Sequence, residues 1–314
     1  MSAGEKAKPR QILLSKRANV FYLDHVKVSV KDERVVYLTE EGEIGRFFNI
    51  PERNTVFILL GKGSSITDAA ARRLAESNIV FGFVGNGGSP LFSSIDYVFL
   101  SPQSEYRPTE YMQAWIKMWI NEESRLSVAK TFFEKRLRWT IESWSALPFL
   151  KKADIVLSEP EIDYSIKKAH SAPDTERLMS VEAEWAKSLY AKMARGFNIS
   201  GFTRNEGQGK KETLIDVANS YLDHGNYIAY GYAASALNVL GISFALPVMH
   251  GKTRRGALVF DVADLYKDAI TLPFSFQAAK DNERDQEFRD ELIDHYQSKM
   301  VMDDIIETIK KTIS

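Results

Sequence analysis

The chain has 314 residues, a formal net charge of −1 and no cysteine. Hydrophobic residues make up 44% and charged residues 26% of it, a composition typical of a globular protein long enough for a sizeable buried core. The lack of cysteine excludes disulfides, thiolate metal sites and thiol nucleophiles, and the near-zero charge confines any nucleic-acid interface to a local patch.

The N-terminal residues, MSAGEKAKPRQ, contain no apolar segment of the kind found in signal peptides. No run of about 18 apolar residues predicts a membrane helix. Together with the lack of cysteine, which suits a reducing compartment, these features predict a cytoplasmic protein.

The first third of the chain has the side-chain pattern of β-strands. In HVKVSVKDERVVYL (25–38) the valines alternate with polar residues, and Lys31-Asp32-Glu33 forms a polar turn before a second strand. The apolar runs TVFILL (55–60) and IVFGFVG (79–85) are typical of buried strands, and SSITDAAARRLAES (64–77) has the cap residues and alanines of a helix. We predict a β-domain over residues 1–100 with one inserted helix.

The stretch LLGKGSSIT (59–67) lies between a predicted strand and a predicted helix, where a phosphate-binding loop would lie. It satisfies neither the Walker A spacing nor GxGxxG, because Lys62 is out of place and position 66 is isoleucine. We interpret its glycines as a tight strand-to-helix turn.

From about residue 107 the apolar spacing becomes helical. The stripe is formed by Tyr111, Trp115, Trp119, Leu126, Ala129, Phe133 and Leu137. Amphipathic stretches then continue almost to the C-terminus, with predicted interruptions at SEPEIDYS (158–165), GFTRNEGQGKKE (201–212) and HGKTRRG (250–256). We predict a linker over residues 101–108, an all-α domain over 109–314, and hence an α+β fold.

One glutamate in LMSVEAEWAKSLYAKM (178–193) lies on the apolar side of its predicted helix. Glu182 shares a stripe with Leu178, Trp185 and Leu189, whereas Glu184 points to the other side. A carboxylate that faces the core is costly unless it is protonated, paired or bound to a cation. The spacing alone favours a glutamate at the edge of the stripe that pairs with an arginine, and it leaves a metal ligand as the alternative.

The stretch MHGKTRRGALVFDVADLYKD (249–268) contains a histidine, three basic residues, an apolar run that resembles a strand, and two aspartates three residues apart. If FDVADLYKD is helical, Asp261 and Asp264 share one face and repel each other unless a cation lies between them. With Glu182 and His250 they offer carboxylate oxygens and one imidazole, which suit Mg²⁺ or Mn²⁺. Taken singly, these residues also fit a satisfied histidine, a helix N-cap and a solvated first-turn aspartate.

Basic residues follow in two polar loops. They are Lys252, Arg254 and Arg255 just after His250, and Arg204, Lys210 and Lys211 in the other Gly-rich loop. A phosphodiester held near a divalent cation needs such counter-charges, although a solvated loop explains them equally well.

These motifs resemble, over nearly the whole chain, those of the CRISPR-associated integrase of spacer acquisition, the Cas-one family, and most of all its type I-F branch. VFILLGKGSSITDAAARRLAESNIVFGFVGNGG resembles the family's β-domain segment, LMSVEAEWAK its catalytic glutamate helix, and YIAYGYAASAL its Asn-Tyr-Gly-Tyr helix. VMHGKTRRGALVFDVADLYK resembles its His and Asp-x-x-Asp block. Ala183 departs from the glycine that many members have after the glutamate, but alanine suits a helix better.

The resemblance implies a metal-dependent DNA integrase and endonuclease of CRISPR adaptation. Glu182, His250 and Asp264 would be the ligands of Mg²⁺ or Mn²⁺, with Asp261 beside them in the catalytic set. The helical domain would be catalytic, the β-domain would form a homodimer, and the basic loop after His250 would face double-stranded DNA. The partner implied is Cas-two, which in type I-F is fused to the interference helicase-nuclease. The implied reaction is transesterification, in which a DNA 3′-hydroxyl attacks a phosphodiester at the edge of the CRISPR repeat.

Two other functions stay open at this point. One is a non-catalytic DNA-binding assembly subunit whose acidic cluster is structural. The other is a branched-DNA repair nuclease that uses the same residues on junction DNA. Strand transfer with and without metal tests the first, and a comparison of repeat DNA with branched DNA tests the second.

Overall fold

The computed structural model of the protein describes residues 12–13, 16–39, 45–85, 109–206, 211–250 and 256–314. Strands come first, as the sequence predicts, and one helix, α1 (Asp68–Glu76), is inserted among them. The strands are β1 (Asn19–Leu23), β2 (Val26–Lys31), β3 (Arg34–Thr39), β4 (Arg46–Asn49), β5 (Thr55–Leu60), β6 (Ser65–Ile66) and β7 (Val80–Phe83), with a 3-10 turn at Glu52–Asn54.

The rest of the described chain is helical, which confirms the predicted α+β class. The helices are α2 (Glu110–Trp119), α3 (Glu122–Ala146), α4 (Pro148–Lys152), α5 (Glu159–His170), α6 (Thr175–Gly196), α7 (Leu214–Val239), α8 (Ala257–Tyr266), a π-helix (Lys267–Thr271), α9 (Leu272–Asp281), α10 (Asp285–Ser298) and α11 (Val301–Thr312). None of the helices in the described ranges is long and apolar enough to cross a bilayer.

The strands form two sheets. One is parallel, in the order β1-β5-β7, and the other has the order β4-β3-β2-β6, with β2, β3 and β4 antiparallel. Val26 and Val28 are buried while Lys27 between them is exposed, as the alternation predicts. The turn between β2 and β3 places Asp32 and Glu33 at positive φ, as expected for a tight hairpin.

Strand β5 is buried on both faces and joins the two parts of the fold. Phe57 and Leu59 belong to the large core that the helices build, whereas Ile58 and Leu60 belong to a smaller core under β2, β3 and α1. On the helical side, α7 packs against β5 and also against α8 and α9. The helix that carries the two aspartates therefore rests on the same central helix as the sheet.

The glycine stretch after β5 forms a tight turn, as predicted. The Gly61 N–H donates to the carbonyl of Leu23 at 2.7 Å, and Gly63 has a φ of +72°, which favours glycine. Thr67 then caps α1 by accepting the Ala70 N–H at 3.3 Å.

Two local interpretations of the sequence are wrong. SEPEIDYS lies almost entirely in α5: Ser158 is the N-cap, Glu161 closes the capping box, and Pro160 falls in the first turn, where a helix tolerates proline. The strand-like run ALVF (257–260) is the first turn of α8, because a short apolar run does not distinguish a strand from a buried helix. The linker at residues 101–108 lies outside the described residues, so the boundary between 1–100 and 109–314 stays a prediction.

Candidate metal centre

Three side chains from distant parts of the sequence meet at one point in the helical region. Glu182 comes from α6, His250 from the loop after α7, and Asp264 from α8. One potential ligand atom from each lies within 4.8 Å of the other two. The predicted ligand residues are therefore neighbours in space.

Glu182 uses its two carboxylate oxygens differently. Oε1 accepts a hydrogen bond from Nη1 of Arg136 at 2.5 Å, whereas Oε2 lies 3.6 Å from Nε2 of His250. Arg136 is a buried residue of α3. The arginine pairing that the spacing favours is thus present, and it still leaves one oxygen directed at the cluster. Glu184 is exposed and pairs with Lys168, as predicted for the other side of α6.

His250 is held by Asp261. Nδ1 of the imidazole lies 2.7 Å from Oδ1 of Asp261, which leaves Nε2 for the cluster. The same carboxylate accepts the backbone N–H groups of Val248, Met249 and His250 at 2.6 to 3.0 Å. The N-cap interpretation of Asp261 is wrong, because Gly256 is the N-cap of α8 and Asp261 lies in its second turn. Asp261 fixes the loop and the ring that it carries.

The two carboxylate oxygens of Asp264 also have different partners. Oδ1 pairs with Nζ of Lys267 at 2.6 Å, and Oδ2 lies 3.9 Å from Nδ1 of His250. Lys267 also donates to the Tyr230 hydroxyl at 3.4 Å and lies over that ring. Because Asp264 is buried, the interpretation as a solvated first-turn aspartate is wrong.

The pKa values of the cluster reflect mutual charge stabilisation. Burial alone would lower the pKa of His250, but the hydrogen bond to Asp261 and the charges of Asp264, Asp261 and Glu182 outweigh it and raise the pKa to about 9. Burial would raise the pKa of Asp264, but the charges of Lys267, Arg136 and His250 dominate and lower it. A divalent cation bound here would have to displace the His250 proton.

The donor set suits a hard divalent cation. Two carboxylate oxygens and one imidazole nitrogen are ligands that Mg²⁺ and Mn²⁺ accept, and the sequence has no thiolate to favour a softer metal. The exposed fractions of the side chains are 30% for His250, 15% for Glu182 and 10% for Asp264. The centre is consequently most accessible at His250, where a substrate can approach.

The predicted DNA-contacting residues divide into two groups. Lys252, Arg254, Arg255 and Lys210 lie outside the described residues. Arg204 is described and pairs with Asp223 and Asn219 at 2.5 and 3.1 Å. Lys211 pairs with Asp285. Arg204 and Lys211 thus already form ion pairs with carboxylates of their own chain, and a role in DNA contact stays a prediction for all six.

Sequence spacing alone did not identify the partners that hold the ligands. Arg136 interrupts the apolar stripe of α3 one residue before Leu137, and an arginine at such a place is a signal that could have been noticed. Asp268 lies four residues after Asp264, so it extends the aspartate spacing by one helical turn. Lys267 carried no comparable signal, because lysines are common at helix ends.

Comparisons with known proteins agree with the resemblance drawn from the sequence. Residues 21–310 match the family model of the CRISPR associated protein Cas1, the Cas-one family. A CRISPR-associated endonuclease Cas1 of Pseudomonas aeruginosa (strain UCBPP-PA14) is 43% identical over 309 residues, which covers 96% of this chain and 94% of the relative. A second, from Pectobacterium atrosepticum, is 40% identical over 313 residues, 97% of this chain and 95% of the relative.

Solved structures share the fold at low identity. A TtCas1–DNA complex superposes with a TM-score of 0.68 at 21% identity and covers 94% of this chain and 91% of its own. A casposase bound to an integration product superposes with a TM-score of 0.72 at 15% identity, with coverages of 94% and 90%. At these identities the likeness concerns the fold alone.

Proposed function

The chain belongs to the CRISPR-associated Cas1 family, a family of endonucleases and integrases of CRISPR adaptation, and from that premise we propose that it is a divalent-metal-dependent DNA integrase. It inserts short DNA fragments into the repeat array and cuts DNA in a weaker side reaction. The observation that carries the proposal is the convergence of Glu182, His250 and Asp264, which bring one potential ligand atom each to within 4.8 Å of one another.

The proposed reaction is a transesterification. The 3′-hydroxyl of a captured duplex attacks a phosphodiester at the repeat edge, one phosphodiester bond forms as another breaks, and no ATP is required. Glu182, His250 and Asp264 would hold Mg²⁺ or Mn²⁺, which when bound supplies positive charge that polarises the phosphate and stabilises the attacking and leaving oxygens. Water in place of the 3′-hydroxyl gives hydrolysis, and hence nuclease activity.

The other charged residues of the centre prepare the ligands. Asp261 orients the imidazole of His250, so that Nε2 rather than Nδ1 is available. Arg136 holds one oxygen of Glu182, and Lys267 holds one oxygen of Asp264. Each cation partly neutralises the carboxylate that it contacts. A centre arranged in this way needs little rearrangement when substrate arrives.

We propose that DNA reaches the centre past the loop that follows His250. Lys252, Arg254 and Arg255 lie two to five residues from His250, which at about 3.5 Å per residue keeps them within about 18 Å of it. Phosphate contacts would suit such residues better than base reading. Replacing all three by alanine should flatten the slope of log affinity against log salt by up to about three units, and an unchanged slope would move the DNA path toward Arg204, Lys210 and Lys211.

The partners form part of the same proposal. A homodimer through the β-domains is supported by β4, which lies at the edge of its sheet among the described residues and whose Phe47 and Phe48 are both more than two-fifths exposed. Phe48→Lys should then shift the mass in light scattering toward the monomer, and a mass unchanged from wild type would contradict this interface. We expect Cas-two as a partner, fused to the helicase-nuclease if the protein is of the type I-F branch. We also expect a cytoplasmic location.

The decisive experiment is a strand-transfer assay with a labelled duplex and a CRISPR-repeat target. Wild type should need Mg²⁺ or Mn²⁺, and Asp264→Asn should lower the rate by more than about 100-fold, since loss of a ligand should cost at least as much as loss of the residue behind it. Asp304→Asn is the matched control, because Asp304 also pairs with a lysine, Lys135, at 2.7 Å. Its rate should stay near that of wild type.

The same assay separates the alternatives. Tight DNA binding without strand transfer or cleavage in any metal would indicate an assembly subunit. Branched DNA cut in strong preference to repeat DNA would indicate a repair nuclease. Full activity of Asp264→Asn would contradict the ligand assignment itself.

A further inference from the structure

Oxygen Oε1 of Glu182 lies at one end of a buried hydrogen-bond network. Nη1 of Arg136 donates to it at 2.5 Å. The rest of the guanidinium is bound by Asp268, with Nε to Oδ2 at 2.6 Å and Nη2 to Oδ1 at 3.0 Å. Trp185 completes the network by donating its indole N–H to Oδ2 of Asp268 at 2.9 Å.

Asp268 determines how Arg136 meets Glu182. A guanidinium is a planar fork, and a carboxylate that takes two of its N–H groups fixes its plane. In this orientation it is Nη1 that meets Glu182, and it contacts one oxygen of the glutamate, Oε1. Without this restraint the fork could turn onto both oxygens of Glu182 and take Oε2 from the cluster.

The three residues behind Glu182 cannot contact DNA directly. Arg136, Asp268 and Trp185 are all buried, and the side chain of Arg136 is only 7% exposed. Asp268 lies in the π-helix that follows α8, an irregularity that is frequent at functional sites. The adjacent Lys267 pairs with Asp264, so this segment reaches one ligand directly and another, Glu182, through Arg136.

We propose that Trp185, Asp268 and Arg136 are positioning residues that keep Glu182 a single-atom metal ligand. The inference rests on the proposed metal centre and adds the cause of its ligand geometry. It also requires that a change in Trp185, which carries no charge, weakens metal binding through Asp268 and Arg136.

The structure offers a matched pair of variants for this test. Trp144 also donates its indole N–H to Asp268 at 2.9 Å, but to the backbone carbonyl instead of the carboxylate. Trp185→Phe and Trp144→Phe each remove one buried indole hydrogen bond to the same residue and leave every charge in place. Only the first removes a hydrogen bond from the carboxylate that holds Arg136.

The readout is Mn²⁺ affinity of the full chain by titration calorimetry, with Mn²⁺ paramagnetic resonance to report the ligand geometry. We expect Trp185→Phe to weaken affinity by about 10-fold, a loss typical of residues behind a ligand, and Trp144→Phe to weaken it less than about twofold. Strand transfer by Trp185→Phe should recover at saturating Mn²⁺. Equal affinities of the two variants overturn the proposal, whatever their common value.

A second pair of variants serves as the test if circular dichroism shows that Trp185→Phe does not fold. Arg136→Lys retains the charge but loses the fork, and Arg289→Lys makes the same change at another buried arginine, paired with Asp24 at 2.9 Å. Mn²⁺ affinity should fall about 10-fold in the first only. If wild type itself binds no Mn²⁺, the metal centre of the proposed function fails and this inference with it. If wild type binds but the pairs do not differ, only the positioning role fails.

Discussion

Asp261 is the residue on which the histidine of the centre depends. It accepts three backbone N–H groups and contacts the imidazole, so its carboxylate orders both the loop 248–250 and the ring. Glu182 is likewise held, by Arg136, so its charge is compensated in the folded chain. Glu182 and His250 are thus held by residues outside their own local patterns, whereas Asp264 is held by Lys267 three residues further along the chain.

Asp261→Asn should show this dependence. Asparagine offers one acceptor oxygen in place of two and turns an NH₂ group toward N–H donors, which leaves buried donors without partners. We expect stability to fall by about 1–3 kcal/mol in urea denaturation and Mn²⁺ affinity to fall about 10- to 100-fold. Asp294→Asn, at an exposed aspartate of α10, is the control. Wild-type Mn²⁺ affinity in Asp261→Asn would remove Asp261 from the site.

Helix α7 is the element that connects the sheet to the centre. Phe57 of β5 packs so close to it that a Cβ at Gly231 would lie 2.4 Å from Cε2 of the phenyl ring. The glycine here allows strand and helix to approach, although glycine normally weakens a helix interior by about 1 kcal/mol. Packing therefore overrides helix propensity at this position.

Gly231→Ala should accordingly destabilise the protein by about 1–3 kcal/mol, because Phe57 is fully buried and has little room to move. The loss should shrink when Phe57→Leu is also present, which a double-mutant cycle in urea measures. Among the described residues, no atom lies within 4 Å of a Cβ at Gly85, so Gly85→Ala should change stability by less than about 0.5 kcal/mol. A stabilised Gly231→Ala protein would show that the helix can shift away from the strand.

At the scale of the whole molecule, a polar junction ties the sheet to the C-terminal helices. Arg289 of α10 pairs with Asp24 at 2.9 Å and lies over the ring of Tyr22 at 4.2 Å. His224 of α7 packs against the same tyrosine. Burial lowers the pKa of His224 to about 4; the negative charges of Asp285 and Asp24 oppose this shift, and the positive charges of Arg289 and Lys211 add to it.

This histidine predicts a pH dependence of folding. Because its pKa is lower in the folded chain than the usual 6.5, the unfolded chain binds the extra proton first, and stability present above pH 6.5 is lost as pH falls toward 4. The loss should reach up to about 3 kcal/mol, at about 1.4 kcal/mol per pH unit.

Urea denaturation between pH 7 and pH 4 measures this effect. The slope of stability against pH should be shallower in His224→Gln than in wild type. Parallel curves for wild type and His224→Gln would contradict the assignment.

The sequence by itself determined the features that depend on local geometry. The alternation at Val26 and Val28, the turn at Asp32 and Glu33, and the opposite directions of Glu182 and Glu184 come from the fixed periods of strand and helix, and the structure contains all of them. Where period was ambiguous, as in ALVF, or where capping outweighed composition, as in SEPEIDYS, the sequence interpretation was wrong. The ligand set came from the resemblance to a family, since spacing alone left each residue an ordinary role.

Only the tertiary structure decided how the ligands are held. Arg136 and Asp268 are 132 residues apart, Trp185 and Asp268 are 83 apart, and Arg136 and Glu182 are 46 apart. Local periodicity relates residues within a few helical turns and carries no information about which helices become neighbours. The packing of α3, α6, α8 and the π-helix brings these groups together. Once they are buried, the cost of an unpaired charge requires that each finds its partner.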